Sequence, residues 1–224
     1  VKERRYYTLI ASLPVLPRFD RTRRLPLSRE RFAARLEWLH PEDRGVLRDA
    51  EGFLAWQGQP LARTDEAMLE RYRAFVGRVR DPALRMLTGQ RMGLRTIVAG
   101  LRRRLRGEGP PQGLWGIEPW ASHMRRHWAE PDFRLGRRVP WLHAASEFLA
   151  AGEAVALERL LMGLVWDQHA TVAADRPFAF PAVLAYRFKW DLTERWLSQN
   201  AEAAQARIAR LVDEALRDAE RVEA

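Results

Sequence analysis

One uninterrupted run, from Asp81-Pro82 to Gly107, constrains the fold more than any other feature of the chain. Pro82 suits the first turn of a helix, where its missing N–H breaks no hydrogen bond, and Gly107 supplies a C-terminal stop. At about 100° per residue, Leu94, Ile97, Val98, Leu101 and Leu105 share one face, with Arg91, Arg95, Arg102 and Arg106 in a stripe beside it. A helix this long hides such a face only against other elements of similar size.

The rest of the chain supplies helices to pack against it. Ser28 is a capping residue ahead of Phe32, Leu36 and Leu39, and that helix stops at His40 before Pro41. Pro41 opens the next, with Glu42 and Asp43 favourable at its N-terminus and Val46, Ala50, Phe53 and Gln57 on one side. Thr64-Asp65-Glu66 opens a third, with Met68, Tyr72, Phe75 and Val79 inward. Pro119–Trp128, Pro140–Ala151, Glu153–His169 and Pro181–Asn200 read as further helices. Ala201–Val222 is amphipathic, with Ala204, Ile208, Leu211, Ala215, Ala219 and Val222 on one side. Only Arg5–Leu13 (RYYTLIASL), closed by Pro14 and Pro17, has the aromatic and β-branched character of a strand. The expectation is an all-α protein with a short N-terminal extended segment and two helical-bundle subdomains. These span 1–107 and 117–224, joined by the Gly- and Pro-rich residues 107–116.

Composition narrows the chemistry. With 224 residues, 47% of them hydrophobic, the chain can bury a core without staples. It has no cysteine, which excludes disulfides, Cys-zinc sites and thiol nucleophiles. Val1 to Ile10 lack the apolar run of a signal peptide and no later stretch approaches a membrane span, so the cytoplasm is the expected compartment. The net charge is +9, and the basic residues are arginine except Lys2 and Lys189. Residues 71–107 alone hold eleven arginines against Asp81. Such a segment suits nucleic acid, an anionic membrane surface or an acidic protein partner. No helix-turn-helix signature, RNP-like strand or Gly-rich clamp accompanies it, which weighs against nucleic acid.

Three constellations could carry function. Arg91, Arg95, Arg102 and Arg106 form either a solvated face, with their stems covering the core, or a docking face for an acidic helix or loop. The Pro181 helix has two apolar stripes, one through Val183, Tyr186, Trp190 and Leu197, the other through Leu184, Phe188, Leu192 and Trp196. Such a helix is either central to its own bundle or meets another subunit along one stripe, with Tyr186, Trp190 and Trp196 as anchors. His123 and His127, at i and i+4, have a spacing that fits one metal ion, with Asp167 and His169 as further candidate ligands, but the glutamate of an HExxH motif is missing. No GxSxG elbow, Walker loop or GxGxxG follows a strand-like segment. The sequence therefore predicts no enzyme, no metal and no cofactor.

The segments YYTLIASLP, ERFAARLEWLHPEDRGVL, RMGLRTIVAGLRRRLRG, PDFRLGRRVPWL and VLAYRFKWDLTERW together resemble a bacterial family of unknown function associated with V/A-type ATPase operons. That family is similar to a shortened form of the helical, funnel-like subunit that seats the central stalk of these rotary enzymes on the membrane rotor ring. Two motifs carry the second resemblance: Arg95 followed by Leu101 to Gly107, and Val183-Leu184-Ala185-Tyr186 running to Glu194. Where the funnel-like subunit has an acidic residue and an Asn before the first Leu, this chain has Met92, Gly93, Arg95 and Thr96. The resemblance implies a non-catalytic coupling subunit of a V/A-type ATPase, peripheral to the cytoplasmic membrane. Its partners would be other ATPase subunits, those of the central stalk and rotor ring, contacted through the arginine row and the Tyr186–Trp196 helix. The alternative function is a helical nucleic-acid-binding protein using residues 71–107.

Overall fold

A computed structural model describes residues 4–55 and 64–199, and the architecture is all-α. The helices are α1 (Tyr7–Ala11), α2 (Arg29–Leu36), α3 (Pro41–Leu54), α4 (Asp65–Arg78), α5 (Pro82–Leu105), α6 (Trp120–Arg126), α7 (Leu142–Ala150) and α8 (Ala154–Asp175). A last helix, α9, spans 180–199. The helix expected over Ala201–Val222 and the position of Gln57 lie outside the described residues.

Helix starts follow the local chemistry of the sequence. Ser28 Oγ accepts from the Arg31 N–H (3.3 Å), Thr64 Oγ1 from Ala67 (3.2 Å), and Asp81 Oδ1 from both Ala83 and Leu84 (2.8 and 3.1 Å). Each satisfies N–H groups that a helix leaves without intrahelical partners. Helix α5 ends as expected at Gly107, in a left-handed turn (φ 74°). The Glu108 N–H reaches the Arg103 carbonyl (3.2 Å) and the Gly107 N–H reaches that of Arg104 (2.9 Å). These paired bonds close the last carbonyls of the helix.

The N-terminal segment differs from its expected extended form. Arg5 makes an isolated antiparallel bridge to Ala179, and the Tyr6 N–H donates to the Phe178 carbonyl (2.7 Å). The chain then coils into α1, where Ile10 N–H bonds to the Tyr6 carbonyl (2.9 Å) and Leu9 is buried. Strand propensity reflects packing on a pleated surface. Among the described residues there is no sheet for this segment to join, so local helical bonds satisfy its backbone instead.

Two main cores form. One gathers Leu9, Leu47, Phe53 and Phe75 with Leu84 and Leu87 of α5 and Val183 and Phe188 of α9. The other joins Ile97 and Leu101 of α5 to Phe19, Met124, Leu142 and Met162. Thus α5 feeds its N-terminal half to one core and its C-terminal half to the other, and residues from both sides of 107–116 enter each. Helix α6 packs tightly on the second half: a Cβ added at Gly100 would stand 2.3 Å from Met124 Cε and 3.2 Å from the Trp115 ring. Leu105, expected on the apolar face, projects into solvent one turn beyond the covered part.

Helix α9 is central to the bundle, one of the two readings that its apolar stripes allow. Val183, Leu184 and Phe188 enter the first core and Leu192 the second. Its remaining flank is covered by the N-terminal arm. The Trp190 indole N–H donates to the Leu27 carbonyl (2.9 Å), and the Tyr186 hydroxyl donates to that of Pro14 (3.0 Å). The Phe32 ring packs 5.4 Å from Tyr186 and 5.5 Å from Trp190.

Candidate basic interface

The arginine row of α5 is divided by the fold. Arg91 is only 5% exposed, with His169 of α8 and Asp191 of α9 near enough to interact electrostatically with its guanidinium. Burial, with Arg95 adding repulsion and Asp191 opposing it, pushes the Arg91 guanidinium down to about 9, still cationic at neutral pH. Half-buried Arg95 points to the Met68 sulfur (3.8 Å). Arg102 and Arg106 are exposed, and Arg106 pairs with Glu108. The expected four-residue docking face is therefore corrected: Arg91 belongs to the interior, and only the C-terminal part of the row reaches the surface.

That end of α5 is part of a larger basic surface. The Arg104 guanidinium lies 4.1 Å from the centre of the Phe133 ring and donates to the carbonyls of Glu130 and Pro131. Trp128 Nε1 donates to the Glu108 carbonyl (3.3 Å), and Arg125 to that of Gly113 (3.1 Å). These contacts bring the end of α5, the 107–116 connection, α6 and the following turn together. The turn itself is unusual, since Phe133 and Arg134 both adopt left-handed backbone (φ 52° and 53°). Asp132 braces it, accepting from the N–H groups of Arg134 (2.9 Å) and Gly136 (3.1 Å). The Arg134 N–H foremost holds the Asp132 carboxyl below the usual range. Complete burial of Phe133 offsets the backbone cost.

Charge on this surface is incompletely balanced. Glu108 serves Arg103 and Arg106, Glu118 serves Arg125 (3.7 Å), and Glu130 serves Arg134 (2.8 Å). Among the described residues, Arg102, Arg126, Arg137 and Arg138 have no carboxylate partner, and all four are exposed. Arg138 instead lies over the Trp120 ring, 5.5 Å from its centre. The sequence reading missed Arg126, Arg137 and Arg138. The RR pairs at 125–126 and 137–138 were the available signal; Arg125 bonds to the 107–116 connection, whereas Arg138 lies by Trp120 and the Gly89–Ile97 part of α5.

The other candidates have partners within the molecule. Tyr186 and Trp190 fasten the N-terminal arm, and half-buried Trp196 packs edge-on against Phe19 at 5.4 Å. His123 donates to the Phe133 carbonyl (2.9 Å), with the His127 ring 4.6 Å away, and desolvation, aided by His123, lowers the His127 pKa. Asp167 pairs with Arg18 (2.6 Å), and buried His169 turns Nδ1 to the Val165 carbonyl (2.7 Å). Among the described residues, no three His, Asp or Glu side chains are placed to hold a metal ion, and no helix is long and apolar enough to cross a membrane. Comparison with family models, curated proteins and solved structures finds no match to this chain.

Proposed function

We propose that this protein is a non-catalytic assembly component that engages an acidic protein partner through the basic end formed by α5, α6 and the 130–138 turn. The observation that carries the reading is the set of exposed arginines without carboxylate partners among the described residues, Arg102, Arg126, Arg137 and Arg138, on a braced frame. Unbalanced guanidiniums on rigid elements recognise carboxylates by charge-assisted, bidentate hydrogen bonds. The motifs resembling the funnel-like stalk-seating subunit give the partner its proposed identity: the central stalk and rotor ring of a V/A-type ATPase, with the protein peripheral to the cytoplasmic membrane.

Nucleic-acid binding by residues 71–107 draws less support. Within that segment Arg91 is buried, Arg78 pairs with Asp49, Arg104 is stacked on Phe133, and Arg103 and Arg106 share Glu108. A continuous phosphate-tracking stripe needs those groups at the surface and available.

The test is affinity purification of a tagged copy from its own host in mild detergent, with mass spectrometry of what co-elutes. The wild-type protein is expected to retain rotary-ATPase subunits, and Arg126→Glu with Arg137→Glu to lose them. Recovery of nucleic acid with a steep salt dependence, or retention of the same subunits by the variant, contradicts the proposal.

A further inference from the structure

We infer that a cleft along α5, walled by α4, α8 and the stretches leading into α6 and α7, binds a proline-rich segment of a partner protein in the polyproline II conformation. The cleft has a volume of about 480 Å³, within the range of ligand sites. It follows α5 from Met86 to Ile97, about 16 Å at 1.5 Å per residue. About five residues of polyproline II, at about 3.1 Å each, cover the same length. At its floor Gly89 and Gly93 stand one turn apart, and their missing side chains leave room for two polar groups. A Cβ on Gly89 would lie 3.5 Å from Tyr72 Oη, and one on Gly93 would lie 2.6 Å from Trp120 Nε1.

The lining groups select a ligand rich in acceptors and poor in donors. Among the described residues, the side chains of Tyr72, Gln90, Trp120, Trp141 and Gln168 make no hydrogen bond, and none of their polar atoms is sealed from solvent. The indoles only donate, and the hydroxyl and both amides can donate too. The one lining carboxylate, Glu118, already accepts from the Ser122 N–H (3.2 Å) and pairs with Arg125. An ordinary segment brings one N–H for each C=O, and its donors would meet few acceptors here. Proline brings the C=O alone, and polyproline II makes no internal hydrogen bonds that would occupy it. Flat apolar surface is also present: among the described residues no ring or cation stacks on Trp141, and Met86 is half exposed. Aromatic-lined grooves recognise proline-rich chains in this way, at low entropic cost because the ligand is preformed. The lining charges, Glu118 and Arg138, cancel, so the recognised segment is uncharged and distinct from the acidic partner proposed above.

The test titrates the full chain against a labelled, end-blocked oligoproline of about eight residues by fluorescence anisotropy, beside a control of equal length that alternates alanine and serine. The oligoproline is expected to bind at least about 10-fold more tightly than the control, with less than about 2-fold change between low and high salt. Gly89→Leu fills the floor with a better helix former and is expected to weaken binding at least about 10-fold without lowering the melting temperature. Tyr72→Phe removes a hydroxyl that bonds no described residue, and is expected to weaken binding about 3-fold or more at an unchanged melting temperature. If Gly89→Leu melts early, Tyr72→Phe decides alone. Equal binding of the control, a steep salt dependence, or undiminished binding by a variant that melts normally overturns the inference. So does absence of oligoproline binding, including the case in which a neutral heterocycle, adenosine, binds and Gly89→Leu blocks it.

Discussion

Acidification should destabilise this fold through one buried histidine. His169 on α8 is 1% exposed, its Nδ1 donates to the Val165 carbonyl, and its ring lies 5.8 Å from that of Phe188. Burial, with repulsion from Arg91 of α5 and Lys189 of α9, pushes its pKa down from the ordinary 6.5 to about 4. The unfolded chain therefore takes up this proton first. The stabilisation is complete above pH 6.5 and is lost as pH falls from there towards 4. At 1.36 kcal/mol per pKa unit, the loss reaches about 2 kcal/mol at pH 5 and about 3 kcal/mol below pH 4. Urea unfolding at pH 7.5 and 5.0 measures it, with His169→Leu as the comparison, since carboxylate contributions common to both proteins cancel. The wild type should lose about 2 kcal/mol more than the variant across this interval. Equal losses would show that His169 is not held neutral by its surroundings.

The remaining predictions concern packing and charge. Arg91→Glu puts a second carboxylate near Asp191 inside the protein and should cost more than about 3 kcal/mol in urea unfolding, whereas Arg126→Glu, on the surface, should stay within about 0.5 kcal/mol. Trp190→Phe leaves the Leu27 carbonyl without its donor and should cost about 2 kcal/mol, read as a fall in melting temperature of roughly 4–8 °C. Gly116→Ala demands a left-handed backbone (φ 63°) from a residue whose Cβ would meet Thr96 Cγ2 at 2.3 Å; about 3 kcal/mol should be lost by denaturant titration.

Legibility of the fold tracks how local each cause is. Ser28, Thr64 and Asp81 announce their helices because a capping hydroxyl or carboxylate acts within three residues, and Gly107 ends α5 for an equally local reason. Arg91 and Arg102 are equivalent by periodicity on α5. They part company because Arg91 is buried near His169 of α8 and Asp191 of α9, residues about eighty and a hundred positions further on. The same distance explains α1, whose strand-like composition had no sheet to join among the described residues, and Trp190, whose partner Leu27 lies 163 residues earlier. The basic end was half visible. Its RR pairs stand in the sequence, but the turn that seats Phe133 against Arg104 depends on two consecutive left-handed residues, Phe133 and Arg134, that no hydrophobic period encodes.

The central claim is that an acidic partner contacts the end where α5 meets the 130–138 turn. A photo-reactive amino acid placed at Arg137, and in a second protein at exposed Val155 on α8, tests it by cross-linking in the native host followed by mass spectrometry. A partner protein cross-linked from position 137 through an acidic segment, and not from position 155, is the predicted result. Cross-links from position 155 alone would place the interface on α8 and contradict the account.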